Sequence, residues 1–374
     1  MEKLLRYALP LALLGVASAS DAQSSVTLYG LVDAGLVYTN NSGGHSNYQL
    51  GNGLLSGSRW GLLGSEDLGS GLKAIFTLEN GFNPSNGKFG QNGREFGRQA
   101  FVGLSDSRFG TVTLGRQYQS NFLGLDALVQ GSLATHPYDN DNLGASIRLN
   151  NSVKYQSANY GGFRFGGLYG FSNAAGSFAD SRAYDVSASY ANGGLTLASS
   201  YLQINNVGST TNTSGTVVAG DSPFYAARQR TWGAGARYTF DTSTVGFVFT
   251  QTQLSNATAI GSGYAGTSSN LPLKGNARFT NYELNGSYRF TPALTLLGAY
   301  TYTDSHLNGE RPKYQQITCQ AGYALSKRTV LIMQAAYEHV SNSGKSGVTA
   351  DISGVSSSST SSQFVTEFGI HHTF

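Results

Sequence analysis

The residues of this chain that could do chemistry are charges embedded in alternating segments. Arg59, Glu79, Arg98, Arg148, Lys154 and Arg164 lie in or beside segments with one apolar and one polar face, at positions assigned to the polar face. Arg98 shares the parity of Val102 and Leu104, which makes 96–106 the weakest of these segments. Such charges are tolerated only where they meet water, because an Arg on the lipid face of a barrel costs ~2–4 kcal/mol at mid-depth. Cations lining a confined aqueous passage favour anions. Enzymatic constellations are missing. Scattered Ser, His and Asp residues form no nucleophile motif, and Asp139-x-Asp141 lacks the Gly and terminal Glu of a calcium loop. His371 and His372 are adjacent on a strand and point to opposite faces, which disfavours a shared metal. One Cys, at 319, excludes a disulfide scaffold or a Cys-rich metal site. No catalytic residue, metal or cofactor is expected.

The elements that must position these charges are legible in the composition. Charged residues are 12% of the chain, about half the usual share, and Gly accounts for 49 of 374 residues, nearly double the usual ~7%. Aromatic residues reach 12%, with 22 Tyr and 20 Phe against 2 Trp. Mean hydropathy is −0.20, which does not fit a bundle of apolar helices. A net charge of +3 argues against a nucleic-acid-coating surface, and 40% hydrophobic residues argue against disorder. These features together suggest a β-rich chain facing lipid.

Residues 1–22 read as a secretory signal peptide. Lys3 and Arg6 form the basic start, Ala8 to Ala17 the apolar core, and Ser20 and Ala22 the small residues before a cut at Gln23. A cut after Ala19 competes with it. The apolar core is too short for a ~20-residue membrane helix, and no later segment is long enough either. The domain organisation expected is therefore a signal peptide over 1–22 and one unit over 23–374.

That unit shows a period of two. Val26, Leu28, Val32 and Ala34 share one face while Thr27 and Asp33 share the other. The pattern recurs over 70–82, where Leu72, Ala74, Phe76 and Leu78 oppose Lys73, Thr77 and Glu79, and over 282–290, where Tyr282, Leu284, Tyr288 and Phe290 oppose Glu283 and Arg289. About sixteen such segments occur. Short Gly-, Asn- and Pro-containing turns alternate with long polar loops near 39–55, 83–95, 118–149, 172–182, 205–227, 255–277, 304–312 and 341–362. This is the arrangement of a bacterial outer-membrane barrel, with tyrosines at strand ends forming interfacial girdles. The chain ends on a strand whose final Phe374 shares parity with Phe364, Phe368 and Ile370, which suits a recognition signal for outer-membrane assembly.

The motifs resemble general diffusion porins of β-proteobacteria. The resemblance rests on Gln23 to Gly30, on Ser58 to Gly69, on Gly71 to Phe76, on Gly97 to Leu104 and on Phe109 to Gln117. Asn151 to Tyr155 and the terminal His372-Thr373-Phe374 add to it. It spans the mature chain and is dense over roughly 25–160. It implies an all-β fold: a 16-stranded antiparallel transmembrane β-barrel, assembled as a homotrimer, with the third loop, 118–149, folded into the lumen as a constriction. The apolar Leu123, Leu125, Leu128 and Val129 of that loop would pack on the barrel wall. By resemblance, Arg59, Arg98 and Arg148 form a basic side of the constriction. Lys154 matches less securely, and Arg116 shares the parity of Val112 and Leu114, which leaves its direction open. Glu79 and Asp126 are the matching acidic side, with Asp139 and Asp141 further along the loop.

The function expected is passive diffusion of small hydrophilic solutes and ions, with a moderate anion preference set by Arg59 and Arg98. A substrate-specific channel is one alternative, disfavoured because inward-facing aromatic residues are few. A barrel-anchored adhesin or receptor is another, disfavoured because loops such as 205–222 and 341–362 show no folded ligand module. Implied partners are outer-membrane lipid and lipopolysaccharide, the barrel-assembly machinery, and small ions and solutes, with no nucleic acid. The location implied is the outer membrane of a Gram-negative bacterium.

Overall fold

The computed structural model describes residues 24–53, 56–120, 125, 128, 147–261 and 271–374. The expected signal peptide over 1–22 therefore lies outside the described residues. Strand segments run in the order β1 (Ser25–Ser42), β2 (His45–Asn52), β3 (Arg59–Gly69), β4 (Leu72–Gly81), β5 (Gln99–Asp106) and β6 (Gly110–Tyr118). They continue with β7 (Arg148–Gln156), β8 (Phe163–Gly170), β9 (Ala183–Asn192), β10 (Leu195–Val207), β11 (Phe224–Phe240) and β12 (Ser243–Ile260). The last are β13 (Leu271–Arg289), β14 (Leu294–His306), β15 (Lys313–Ala324), β16 (Thr329–Ser341) and β17 (Ser362–Thr373).

The segments make sixteen barrel staves, because β2 and β3 are two halves of one. Both pair antiparallel with β1, β2 from Ala34↔Asn52 to Ser42↔His45 and β3 from Ser25↔Ser65 to Leu31↔Arg59. The ring closes where β1 pairs with β17, from Leu31↔Thr373 to Thr39↔Val365. Gly30 and Phe374 extend that seam with reciprocal backbone bonds of 3.2 and 3.0 Å. Closure removes the unpaired edges that lipid could not satisfy.

Alternation becomes a division between two faces. Along β16, Ile332, Gln334, Ala336, Glu338 and Val340 are buried on the inside, while Met333 and Tyr337 are 61% and 45% exposed on the outside. Antiparallel order puts the long loops at one end: L2 (82–98), L3 (119–147), L4 (171–182), L5 (208–223), L7 (307–312) and L8 (342–361). Two aromatic girdles mark the outer face. Trp232 stacks near Phe249 (4.8 Å), Phe249 near Tyr282 (5.4 Å) and Tyr282 near Tyr302 (6.4 Å) toward the long-loop end. Tyr238–Phe240 and Tyr288–Phe290 lie toward the short-turn end. Tyr282 on β13 and Phe290 just past its end are eight positions apart, ~27 Å of extended chain before tilt, which matches a ~25 Å apolar band.

Two segment expectations change. The polar loop near 39–55 is mostly strand: β1 runs to Ser42 and turns at Gly43-Gly44, whose φ of +62° and +104° suit a two-residue hairpin. The poorly alternating 96–106 segment starts as a strand only at Gln99, so Arg98 sits outside the ladder and its parity carries no meaning. At the long-loop end the loops fold inward. Val217 of L5, Leu307 of L7, and Val348 and Ala350 of L8 join lumen-facing Leu202, Leu254 and Phe279 in one buried cluster.

Candidate functional site

The register of β3 on β4 begins the site. Arg59 pairs with Gly81 and Gly61 with Glu79, so the guanidinium and the carboxylate stand two positions apart on the lumen face of adjacent staves. Gly81 leaves the space above it open. A Cβ there would meet the Arg98 side chain at Cδ, 3.1 Å away, and the Gln91 amide still more closely. Arg98 lies across that gap, buried to 4%, and its Nε donates to Glu79 Oε1 at 2.8 Å. Tyr29 Oη donates to the other Glu79 oxygen at 2.9 Å. Glu79 was expected on an acidic side opposing the bases. It stands among them, because strand register makes it a lateral neighbour of Arg59.

Tyr118 gathers the rest. Its Oη accepts from Arg98 Nη2 at 2.7 Å and from Arg148 Nη2 at 2.6 Å, and the Arg148 guanidinium lies 4.6 Å over its ring. Arg59 donates to the Gly57 carbonyl at 2.9 Å and to Ser56 Oγ at 2.5 Å, within electrostatic reach of Arg98, Glu79 and Arg148. Three guanidiniums thus share one wall with one carboxylate. A phenol oxygen and a π face offset their mutual repulsion.

Lys154 and Arg116 are placed differently. Lys154 Nζ donates to the Tyr118 carbonyl at 3.1 Å, under the root of L3. The same root is held by Asp185, which accepts from the Ser120 backbone N–H at 2.9 Å and from the Ser120 hydroxyl. Arg116 donates to the Gly97 carbonyl at 2.8 Å, to Asn150 Oδ1 at 2.5 Å and to Asp221 Oδ1 at 3.1 Å. Asp221 also pairs with Arg94, so Arg116 belongs to a clamp joining L2, β7 and L5. Arg164 is exposed near the short-turn end of β8.

Of L3, Asp126, Asp139 and Asp141 lie outside the described residues. Leu125 and Leu128 are fully buried against Ala198 and Val248, and Asn285 Nδ2 donates to the Leu128 carbonyl at 2.9 Å. Gly233 and Gly235 of β11 lie beneath them, where a Cβ would come within 3.2 Å of Leu125 Cδ1 and 2.8 Å of Leu128 Cδ1. These two leucines sit on the inner wall far around the ring from Arg59. Between that arc and the seam the lumen face carries Glu283 of β13, Glu338 of β16 and Glu367 of β17, and Asp33 lies on β1, the stave that pairs with β3; each is no more than 3% exposed. His371 Nδ1 lies 3.1 Å from Asp33 Oδ2, and Glu338 Oε1 accepts from the Asp351 backbone N–H at 2.7 Å. Burial pushes the Asp351 carboxyl of L8 up to about 7. Sequence reasoning had no role for these carboxylates, although the parity of Asp33 and Glu283 already put both on the polar face. Tyr118 was missed because a tyrosine at a strand end reads as a girdle residue.

A closed sixteen-stave barrel with loops turned inward and a cation-lined wall matches one family model. The model, for Gram-negative porins, covers residues 8–345. This chain belongs to the Gram-negative porin family. An outer membrane porin protein of Bordetella pertussis is 32% identical over 90% of this chain and 94% of its own length. Outer membrane porin protein 32 of Delftia acidovorans is 38% identical over 43% of this chain and 48% of its own. An anion-selective porin from Comamonas acidovorans superimposes with a TM-score of 0.74 at 26% identity, covering 94% of this chain and all of that one. The porin therefore resides in the outer membrane of a Gram-negative bacterium, and it is a channel protein, not an enzyme.

Proposed function

We propose that this porin forms a water-filled passage for the passive diffusion of small hydrophilic solutes and ions, with a moderate preference for anions. The observation that carries the reading is the gathering of Arg59, Arg98 and Arg148 on one lumen wall around Tyr118, with Glu79 the carboxylate bonded into that group. Guanidiniums stay charged at any working pH and suit carboxylate and phosphate solutes. In a confined passage they are screened less than in bulk water. Glu283, Glu338 and Glu367 on β13–β17 limit the bias, so cations pass as well. The anion selectivity of the Comamonas acidovorans porin supports the same sign.

Lys154 and Arg116 are then supports, one beneath L3 and the other tying L2 to L5. Residues 1–22 act as the export signal, and 23–374 as the barrel. The mature chain works as a homotrimer in lipid and lipopolysaccharide, inserted by the barrel-assembly machinery.

Planar-bilayer recording of the purified protein tests the diffusion reading. Conductance should rise in proportion to KCl concentration, and closures should come in three equal steps. Conductance that saturates at millimolar salt would point instead to a binding channel, and the absence of steps would contradict a pore.

A further inference from the structure

At the long-loop end, donors from three elements converge on one carboxylate of the protein itself. Asp221 of L5 accepts at Oδ1 from Arg94 Nη1 of L2, and from Arg116 Nη2 of β6 at 3.1 Å. Its Oδ2 accepts from Arg94 Nη2 at 3.4 Å and from Asn150 Nδ2 of β7 at 3.1 Å. The Arg94 fork thus takes both oxygens, and Arg116 and Asn150 close on them from the barrel wall. This is the planar, two-pronged, charge-assisted arrangement by which guanidinium groups bind a free carboxylate.

The cradle is built independently of its occupant. Arg116 is aimed by the Gly97 carbonyl at 2.8 Å and by Asn150 Oδ1 at 2.5 Å, neither of which belongs to L5. L5 in turn is held without Asp221. The Thr216 N–H donates to the Ser181 carbonyl and the Thr216 carbonyl accepts from the Asn150 N–H, both at 2.9 Å, while Val217 is buried in the apolar cluster. Gly220, at φ +81°, delivers Asp221 from a backbone conformation that favours glycine, so a short turn about Gly220 withdraws the carboxylate. The Arg94 side chain is 33% exposed against 2% for Asp221, so the fork meets solvent while its occupant does not. Two guanidiniums against one carboxylate leave an excess positive charge. A tie between two loops does not need that excess, whereas an incoming anion does.

We propose that Arg94, Arg116 and Asn150 form a capture site for small organic carboxylates, which Asp221 occupies as an internal competitor. Arg116 Nη1 lies 3.4 Å from the Arg148 carbonyl, so a solute leaving the cradle next meets the basic wall. The part this plays in uptake rests on the diffusion reading above, and the binding itself does not. An internal competitor lowers affinity in proportion to the fraction of time the cradle stands empty. An occupancy of roughly nine-tenths by Asp221 weakens the binding of a free carboxylate roughly tenfold.

Isothermal titration of the detergent-purified full chain with succinate tests this, with inorganic phosphate as a second probe. Asp221→Asn should bind succinate roughly tenfold more tightly than the wild type, and Asp221→Asn/Arg94→Gln should lose that gain. Asp221→Asn/Arg59→Ser should keep it, because Arg59 belongs to the constriction wall and not to the cradle. Asp221→Ser empties the cradle by a second route and should show the same gain, and heat-modifiable migration certifies that each variant is folded. No gain in either single variant, or a gain that survives Arg94→Gln, would overturn the proposal. A gain lost with Arg59→Ser would overturn it by placing the binding at the constriction. Phosphate held by Asp221→Asn as tightly as succinate would overturn the carboxylate assignment. Calorimetry reads binding and not flux, so failure here leaves the bilayer test of diffusion standing.

Discussion

The carboxylate of Glu79 is held from both sides, by the Arg98 guanidinium at 2.8 Å and the Tyr29 hydroxyl at 2.9 Å. Both ion-pair partners are about 5% exposed or less, so solvent screens the pair weakly. Glu79 thereby neutralises one cation of three on that wall. Glu79→Gln keeps the shape and an acceptor but removes the charge. The reversal potential should move further toward anion selectivity, and thermal unfolding should show a loss of ~1–3 kcal/mol from the weakened charge-assisted bond. A shift toward cations would show that Glu79 does not act on the permeating ions through its charge. Parity alone placed Arg59 and Glu79 on the polar face, and the motif around Arg98 supplied the third residue. Their convergence on Tyr118 depends on register between β4, β5 and β6 and on the course of L2, neither of which a single sequence displays.

Among the elements, the described part of L3 is seated by absent side chains. Gly235 lies under Leu128, and a Cβ there would stand 2.8 Å from Leu128 Cδ1 and 2.9 Å from the Phe247 carbonyl oxygen. The backbone oxygen cannot yield, so the loop must. Gly235→Val should unseat L3 and raise single-channel conductance, whereas Gly298→Ala, whose Cβ would meet nothing nearer than 3.7 Å, should leave it unchanged. Unaltered conductance in Gly235→Val would mean that the seat does not govern the passage. The staves were readable because one buried and one lipid-facing side impose a strict period of two. That rule fails where the outer face leaves lipid. The segment β2 has only Tyr48 and Leu50 as apolar residues on its outer face and reads as loop, as do the outer ends of β11, β12 and β13. Those three strands reach 17, 18 and 19 residues, well beyond the ~9–11 needed to cross the bilayer. The Gly43-Gly44 hairpin was hidden for the same reason, since its flanks lack apolar alternation.

For the whole molecule, the seam between the first and last staves decides whether a barrel exists. Phe374 exchanges backbone bonds with Gly30, and its ring lies where a Gly30 Cβ would stand, 2.5 Å from Cζ. Deleting Phe374 removes both the bonds and a terminal aromatic group at 42% exposure on the outer surface. Outer-membrane yield of heat-modifiable protein should fall severalfold, and an unchanged yield would remove Phe374 from the assembly signal. Once closed, the barrel carries a net charge of only +3, so any selectivity has to arise from where charges sit. Two arcs of opposite sign, basic on β3–β7 and acidic on β13–β17, supply that asymmetry. The reversal potential of the wild-type channel in a KCl gradient, set beside that of Arg59→Ser/Arg98→Ser, tests it most directly. The wild type should reverse on the anion side and the double variant should move toward cations, most visibly at low salt where the Debye length exceeds ~10 Å. A wild type that already prefers cations, or a double variant that reverses at the same potential, would contradict the basic wall as the source of selectivity.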